Sequence, residues 1–193
     1  MRQTSWIRLG VLGFGLALST LAAAPAVADE YGVDLVHSSV SFKAKHMGIS
    51  WVHGRFNTFS GTISFDKADP AKSSFELSIK PDSVDSGNKQ RDAHLASADF
   101  FDAKQFANIT FKSTSVKPVK DGFEVEGDFT MHGTTNKIKF LLEGGKEAEM
   151  RGMKKIGFFT DLKIKRSDYG MDKMLDGIGD EVQVSIGLEG NKK

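Results

Sequence analysis

Apolar and polar residues alternate along most of the chain that follows residue 39. Because successive side chains of a β-strand point to opposite faces of a sheet, each alternating run predicts a strand with one apolar and one polar face. That pattern is typical of antiparallel sheets that are covered on one side. Eight runs show it, at residues 40–46, 59–65, 75–79, 109–111, 123–131, 138–142, 156–164 and 182–188.

Short turn sequences, most of them containing Gly, separate these runs. The clearest breaks are at residues 67–70, 118–122, 132–133 and 144–145. Eight strands joined by short turns are typical of a β-sandwich or an up-and-down β-barrel. Residues 88–106 lack the period of two and predict one or two short helices. No linker or repeat divides the region, so we predict a mainly β fold in one domain.

Phenylalanine dominates the apolar faces of the predicted strands. The chain has 15 Phe against 2 Trp and 2 Tyr, and most of the Phe residues share the apolar parity. From composition alone these rings favour a solid core. A barrel of about eight strands offers the alternative, because its interior can hold one small or elongated apolar ligand. The alternation of residues does not separate the two.

The first 28 residues have a different character. Two arginines precede an apolar run over residues 9–24, and the segment ends on Ala-Val-Ala. These are features of a secretory signal peptide, and the run is shorter than the ~20 residues that a membrane span needs. We predict a signal peptide over residues 1–28 with cleavage after Ala28. The exported product would be a domain over residues 29–193, located in the periplasm of a Gram-negative cell.

Composition narrows the chemistry of this domain. The formal net charge is +1 for the whole chain and −1 once Arg2 and Arg8 are removed, so the basic footprint of a nucleic-acid-binding protein is missing. Cys is absent, which excludes disulfides, thiol nucleophiles and thiolate metal sites. Neither a Walker loop nor a Gly-x-Ser-x-Gly motif occurs in the sequence. We therefore predict no catalytic residue and no enzymatic activity.

Five histidines are scattered along the chain without the close spacing of metal ligands. We predict no metal site and expect hydrogen-bonded or surface positions for most of them. His46 differs because it shares the parity of Val40, Phe42 and Ala44. A polar ring on an apolar face needs a partner or the head group of a ligand.

Arg166 continues the apolar parity of residues 156–164 and is expected near the rim of the fold. Its guanidinium could bind a phosphate or carbonyl group of a ligand. An ion pair with Asp168 or Asp172 is the alternative, and the sequence favours neither.

Five short sequence blocks occur in order and together cover nearly all of residues 31–190. The blocks are Asp34-x-x-His37-Ser38-x-Val40-x-Phe42 with His46-x-Gly48 and Gly54-Arg55-Phe56; Ser97-Ala98-Asp99-Phe100-Phe101-Asp102 with Ile109-x-Phe111; Gly127-x-Phe129-Thr130-x-His132-Gly133-x-Thr135; Arg166-Ser167-Asp168-Tyr169-Gly170-Met171; and Asp180-x-Val182-x-Val184-x-Ile186. In this order the blocks resemble the YceI family. The spacing Gly48-Ile49-Ser50-Trp51 does not match the Gly-x-Trp signature of true lipocalins.

The resemblance implies an extended antiparallel eight-stranded β-barrel, lipocalin-like in shape, with an amphiphilic ligand in its lumen. The ligands it implies are polyisoprenoids, such as isoprenoid quinones and polyprenyl phosphates, and some fatty amides; no other cofactor is expected. We therefore favour the cavity over the solid core. The residues expected to line it are Phe42, His46, Phe65, Phe111, Phe129, Met131, Phe140, Phe158 and Ile164, with Arg166 and His46 at the head group.

The function expected on this basis is to sequester or carry such a lipid without chemistry. The expected partner is the lipid, not nucleic acid, and the protein is not expected to be embedded in the membrane. Two alternatives stay open. One is an enzyme that acts on an isoprenoid or lipid, which convergent acid–base residues around His46 would support. The other is a ligand-free structural or stress-response protein. The sequence also leaves open whether the protein forms a homodimer.

Overall fold

Antiparallel β-strands form most of the protein, and a computed structural model describes residues 28–193 of it. One α-helix, α1 (Lys89–Leu95), and three short 3-10 turns complete the secondary structure of these residues. The strands are β1 (Asp29–Val33), β2 (Ser39–His46), β3 (Ser50–Phe56), β4 (Phe59–Phe65), β5 (Ser74–Ile79), β6 (Val84–Asp85), β7 (Ile109–Val119), β8 (Gly122–Met131), β9 (Thr134–Met150), β10 (Met153–Lys165) and β11 (Ile178–Lys192).

The sheet closes on itself as a barrel. The strand β11 pairs with β10 along one edge, and along its other edge it pairs first with β2 and then with β1. In the same way, β3 pairs with β2 while β4 pairs with β1. The strands β1 and β2 therefore act together as one bent strand, as do β3 and β4. The short β6 continues β5 in the same way, since β5 pairs with β4 and β6 with β3, so the eleven strands form a barrel of eight. This confirms the expected antiparallel eight-stranded barrel and excludes the sandwich.

A network of charges covers the junction of β1 with β11, which we call the closing seam. The Lys154 ammonium lies 2.8 Å from the Asp29 carboxylate and 2.9 Å from that of Glu147. Lys192 adds a second ion pair to Asp29 at 2.6 Å, and the Tyr31 hydroxyl donates to Glu147 at 3.0 Å. These side chains come from β1, β9, β10 and β11, so the network joins both ends of the described domain to the β9–β10 hairpin.

Two buried clusters occupy the inside of the barrel. The upper cluster lies beside α1, and the lower cluster fills the opposite end. The upper cluster contains Val40, Phe56, Phe59, Leu77, Ile79, Val84, Phe100, Phe101, Ile109, Met131, Tyr169 and Met171. The lower cluster contains Tyr31, Ile63, Phe65, Phe75, Val116, Val125, Leu142, Ile156 and Phe158.

The helix begins where the sequence predicts it. The side chain of Asn88 accepts a hydrogen bond from the Arg91 amide at 3.0 Å, which is the usual cap of a helix N-terminus. After Leu95 the chain continues through turns over residues 96–106 and buries Phe100 and Phe101 in the upper cluster. One helix, not two, is therefore present in this part of the described chain.

Gly144 and Gly145 do not end a strand, and the predicted break is wrong. The strand β9 runs on to Met150, and its register with β10 shifts between Gly157 and Phe158, as in a β-bulge. Both glycines have positive φ values, 116° and 81°. A Cβ atom at Gly144 would lie 2.3 Å from the carbonyl oxygen of Gly157, so only glycine fits this close approach.

The predicted signal peptide lies outside the described residues except for Ala28, and its cleavage stays a prediction. Within residues 28–193, no helix has the length and hydropathy that crossing a membrane would require.

Candidate functional site

An apolar cavity of about 150 Å³ lies along the barrel axis. Its walls come from the inward faces of most strands, together with Leu95 of α1 and the turn residues that follow it. Apart from Glu76, Thr160 and Arg166, all lining residues are apolar. These apolar residues are Val40, Phe42, Ala44, Phe56, Ile63, Phe75, Leu77, Ile79, Leu95, Phe100, Phe101, Ile109, Phe111, Phe129, Met131, Ile138, Phe140, Leu142, Phe158, Leu162, Ile164, Met171, Ile178, Val182, Val184, Ile186 and Leu188.

The three polar lining residues already have partners. The Thr160 hydroxyl donates to the Leu141 carbonyl at 2.7 Å. The Glu76 carboxylate is exposed and pairs with Lys112 at 2.8 Å. Arg166 is bonded to backbone carbonyl groups. The cavity therefore offers a ligand mainly apolar contact.

Arg166 occupies a buried position, with 3% of its surface exposed. Its Nη1 atom donates to the carbonyls of Met171 and Lys173, at 2.5 and 2.8 Å. Nη2 donates to Ile178 at 2.9 Å, and Nε donates to Gly179 at 3.2 Å. A guanidinium has five N–H groups, so four of them hold the loop between β10 and β11. One N–H group is left that could face a ligand.

The ion-pair alternative for Arg166 is not supported, whereas its contact with a head group stays a prediction. No ion pair joins it to Asp168 or Asp172 within the described chain. Burial lowers the pKa of its guanidinium, and the negative charges of Asp180 and Asp172 oppose that shift. The residue therefore organises the upper end of the barrel, and its proposed contact with a head group is reduced to a single donor.

Most of the residues predicted to line the lumen do line it, and two lie elsewhere. Phe65 is buried in the lower cluster and does not line the cavity. His46 is exposed at the end of β2, where the chain turns into β3, although it still pairs with Ile178 of β11. The seven that line the cavity are Phe42, Phe111, Phe129, Met131, Phe140, Phe158 and Ile164.

Aromatic rings close the lower end of the cavity. The ring centre of Phe158 lies 5.0 Å from that of Phe75, 5.4 Å from that of Phe65 and 6.3 Å from that of Phe123, all in edge-to-face geometry. Such contacts are favourable for aromatic pairs. They form a packed floor, so a ligand has to enter from the other end.

The upper end has a gap in its hydrogen-bonded wall. The strand β6 pairs with Arg55 and Phe56 of β3, and within residues 28–193 no strand pairs with the same edge of β3 over residues 50–54. Beside this edge, Phe101 of the turns that follow α1 packs against Phe56 at 5.5 Å between ring centres. Side-chain contacts open more easily than a ladder of hydrogen bonds, so we expect a ligand to enter at this gap.

The histidines lie at hydrogen-bonded or surface positions, as the sequence predicts. His94 contacts the Asp99 carboxylate at 3.0 Å, and His132 contacts the carbonyl of Tyr169 at 3.1 Å. His46 and His53 are exposed. None of these four points into the cavity.

His37 lies near two carboxylates, an arrangement that the sequence does not reveal. Its Nδ1 atom is 2.9 Å from Asp34 and 3.7 Å from Glu189. The three side chains could in principle hold a metal ion. The ammonium group of Lys155 already contacts both carboxylates, at 3.2 and 2.7 Å, and so supplies the positive charge at this point. The group is an extension of the ion-pair network on the barrel wall.

The closing seam leads to a prediction about acid stability. Hydrogen bonds from Lys154 and Lys192 lower the pKa of Asp29 from 3.8 to about 2, and Lys154 also lowers the pKa of Glu147. Since the folded-state pKa values lie below those of the unfolded chain, the ionised carboxylates stabilise the barrel above about pH 5. This contribution is lost as the pH falls toward about 2. Thermal unfolding at low ionic strength, followed by circular dichroism, should show the midpoint falling over this interval.

The variant Lys154→Met provides the control for that prediction. It removes the principal cause of both pKa shifts, so the midpoint should depend less steeply on pH than in the unaltered protein. Lys137→Met removes an exposed ion pair to Asp128, 3.0 Å long, elsewhere on the barrel and should leave the pH dependence unchanged. Equal acid profiles for the unaltered protein and Lys154→Met would contradict a stabilising role for the seam.

Several solved structures share this barrel. BcnA of Burkholderia cenocepacia has a TM-score of 0.75 at 28% identity, with coverage of 81% of this chain and 98% of that one. The YCEI protein of Campylobacter jejuni has a TM-score of 0.69 at 34% identity, with coverage of 77% and 90%. A polyisoprenoid-binding domain from Saccharophagus degradans has the same fold, with a TM-score of 0.66 at 19% identity and coverage of 87% and 100%.

Sequence comparison agrees with the structural likeness. Protein YceI of Salmonella arizonae is 35% identical over 189 residues, which cover 95% of this chain and 98% of that protein. Protein YceI of Salmonella paratyphi B matches to the same extent. The pattern of the YceI-like domain matches residues 31–190, from the strand that begins the barrel to the strand that closes it. The chain therefore belongs to the YceI family.

Proposed function

We propose that this protein is an exported carrier that sequesters the apolar chain of an amphiphilic lipid inside its barrel. The observation that carries the proposal is the cavity lining, which is apolar apart from three residues whose polar groups already have partners. The polyisoprenoid-binding domain with the same fold supports a polyisoprenoid as the ligand class. An isoprenoid quinone or a polyprenyl phosphate would combine such a chain with a polar head.

Affinity would come mainly from burial of hydrocarbon. Each CH₂ group removed from water contributes about 0.8 kcal/mol, and no directional contact is needed for it. The cavity volume of about 150 Å³ is close to the size that holds a benzene molecule, so a long chain requires the lining side chains to move apart. The side chains beside the gap at β3 are the ones that can move most easily.

The head group would lie at the upper end. His46 is exposed there, and its strand partner Ile178 lines the cavity. The remaining N–H group of Arg166 is the second polar contact available at this end. We infer that His46 contributes more to the choice of head group than Arg166, because Arg166 already uses four donors on the backbone.

Native mass spectrometry of the protein purified from its own cells tests the proposal. We expect a complex with one lipid per chain, and we expect extraction to release a lipid that has a long hydrocarbon tail. After long incubation with the protein, that lipid should keep its mass, since a carrier changes no bonds. Product in excess of the protein would instead identify an enzyme.

One observation favours a ligand-free structural protein as the second candidate. The small cavity volume is compatible with a barrel that its own phenylalanine side chains largely fill. Under this alternative, the purified protein would carry no lipid, and added polyprenyl lipids would leave its thermal unfolding unchanged. A rise in the unfolding temperature with lipid concentration would exclude it, because a ligand of the folded state stabilises that state.

Export predicts a defined N-terminus. Cleavage after Ala28 would leave Asp29 as the first residue, at the start of β1 and inside the closing seam. N-terminal sequencing of protein recovered from the periplasmic fraction should therefore begin with Asp-Glu-Tyr-Gly-Val. A sequence that begins at Met1 would contradict both the signal peptide and the proposed location.

A further inference from the structure

The hairpin of β2 and β3 ends in apolar side chains that contact little of the protein. Met47 and Ile49 are 64% and 82% exposed, and Trp51 is 38% exposed. The two turn residues, Met47 and Gly48, have positive φ values of 51° and 72°. Such a turn strongly favours Asn, Asp or Gly, so a methionine at its first position is unusual. Neither packing nor backbone geometry accounts for the apolar tip.

The charges on this hairpin are all positive. No Asp or Glu occurs from residue 35 to residue 65. The ammonium groups of Lys43 and Lys45 lie 5.2 and 5.5 Å from the ring centre of Trp51. No ion pair within residues 28–193 involves either lysine.

Several lysines on other strands of the barrel have an acidic partner. Four of them pair with a carboxylate on a neighbouring strand at 2.8 to 3.2 Å: Lys112 with Glu76, Lys137 with Asp128, Lys139 with Glu124 and Lys163 with Glu181. The hairpin therefore presents positive charge that the protein itself does not neutralise, next to exposed apolar side chains.

A second apolar pair lies beside the hairpin tip. The Met47 amide donates to the Gly177 carbonyl at 2.7 Å, which ties the turn to the loop between β10 and β11. In that loop Met174 and Leu175 are 50% and 42% exposed. Both apolar pairs are at the upper end of the barrel, where Ala44 and Ile178 line the cavity. Together Met47, Ile49, Met174 and Leu175 form an apolar patch, and this patch adjoins the end of the cavity where we expect the entrance.

We propose that the tip of the β2–β3 hairpin docks the barrel on the surface of an anionic lipid bilayer, with the cavity entrance facing the lipid. Apolar side chains, a tryptophan and unpaired lysines are the elements that bind peripheral proteins to such surfaces. Asp172 and Asp176 flank the second apolar pair, so the hairpin, not the loop, makes the first contact. Transfer of a lipid at this surface rests on the proposed function, whereas the docking itself does not.

Flotation with lipid vesicles tests the docking, using protein recovered from the periplasmic fraction so that the N-terminus is the natural one. Binding should be strong to vesicles with about one-third phosphatidylglycerol, weak to pure phosphatidylcholine, and reduced at about 0.5 M salt. The double variant Met47→Asn, Ile49→Ser should bind roughly tenfold less, because it removes the apolar tip while keeping a turn that asparagine favours. Lys43→Gln with Lys45→Gln should remove the preference for phosphatidylglycerol.

The opposite end of the barrel offers a matched control. Met150 and Met153 flank the hairpin turn of β9 and β10 and are 60% and 46% exposed. Changing both to Ser should leave vesicle binding intact. Equal losses in the two double variants, or no binding by the unaltered protein, would overturn the proposal. So would a change of oligomeric state in the Met47→Asn, Ile49→Ser variant without a change in vesicle binding, since the patch would then be a protein interface.

Different experimental results would contradict the docking and the carrier function. The tip residues lie outside the cavity, so the Met47→Asn, Ile49→Ser variant should still contain lipid when native mass spectrometry is applied to it. If the unaltered protein binds vesicles but contains no lipid and takes none up, the carrier function is wrong and the docking stands. If it contains lipid but ignores vesicles, the docking is wrong.

Discussion

Arg166→Ala is expected to destabilise the protein by at least about 3 kcal/mol, because it leaves buried carbonyl groups without donors. Four carbonyls accept hydrogen bonds from this guanidinium, those of Met171, Lys173, Ile178 and Gly179. These hydrogen bonds hold the loop that leads into β11, the strand that closes the barrel. Urea unfolding followed by tryptophan fluorescence should therefore show a large decrease in the midpoint.

Arg55→Ala is the control for this effect. Arg55 is mostly exposed and makes one ion pair, to Asp85 at 3.0 Å, so its removal should cost less than about 1 kcal/mol. Where Arg166→Ala gives no folded protein, Arg166→Lys keeps the charge with three donors and should unfold at an intermediate urea concentration. If Arg166→Ala matched the stability of Arg55→Ala while the protein lost its lipid, head-group binding would be the main role of Arg166.

Phe140→Glu is expected to remove the lipid from the purified protein. Phe140 lines the cavity, and its ring centre lies 5.3 Å from that of Phe111. A carboxylate placed there has no partner, and a hydrocarbon chain beside it would bury the charge at a high cost. The lipid content measured by native mass spectrometry should fall at least roughly tenfold, which corresponds to about 1.4 kcal/mol.

The neighbouring residue on β9 supplies the matched control. Lys139 points outward and pairs with Glu124 at 3.2 Å. The Lys139→Gln variant should keep its lipid. The Phe140→Gln variant, whose neutral side chain disturbs folding less than a carboxylate does, should lose most of it. If both glutamine variants retained equal amounts of lipid, the ligand would not occupy this part of the barrel.

The barrel itself could be predicted because its long strands repeat a clear pattern. In β10 more and less exposed positions alternate over many residues, and in β11 apolar and polar residues alternate over residues 182–188. The resemblance to a known family then separates barrel from sandwich. The strand β3 has a weaker pattern. Trp51 stands at an outward position, and Gly54 stands at an inward one, where the ring of Phe42 lies within 2.4 Å of an ideal Cβ position. The ring of Phe42 on β2 fills the space inside the barrel at Gly54. The strand β3 therefore has no apolar side chain of its own there, and the alternation of apolar and polar residues does not reveal it.

Parity predicts which face a residue occupies but not how far along the barrel it lies. Phe65 and Phe158 share an inward face, yet Phe158 lines the cavity and Phe65 packs in the aromatic floor without lining it. The same limit applies to His46, whose strand ends at that residue. The role of Arg166 could not be predicted either, since its partners are backbone carbonyls and any residue type supplies those.

Some lining residues were missed although their signal was present. Leu162 shares the parity of Phe158 and Ile164, the two predicted lining residues on β10, and lines the cavity with them. Val184 and Ile186 lie on the apolar parity of the strand predicted over residues 182–188, and they also line the cavity. Phe100 and Phe101 carry no such signal, because they follow α1 in a region of turns. Their burial in the upper cluster depends on the tertiary fold.

The closing seam also has a consequence for how the chain folds. Tyr31 pairs with Lys192, so the contacts that complete the ring join residues at opposite ends of the domain. Loops this long are slow to close, and proteins rich in such contacts fold slowly. A nascent chain that has reached residue 177 still lacks the strand that β2 and β10 require as a partner. We therefore expect the polypeptide to stay unfolded until its last strand emerges, which keeps it suitable for passage through a narrow translocation channel and exposes it to proteases until the ring is complete.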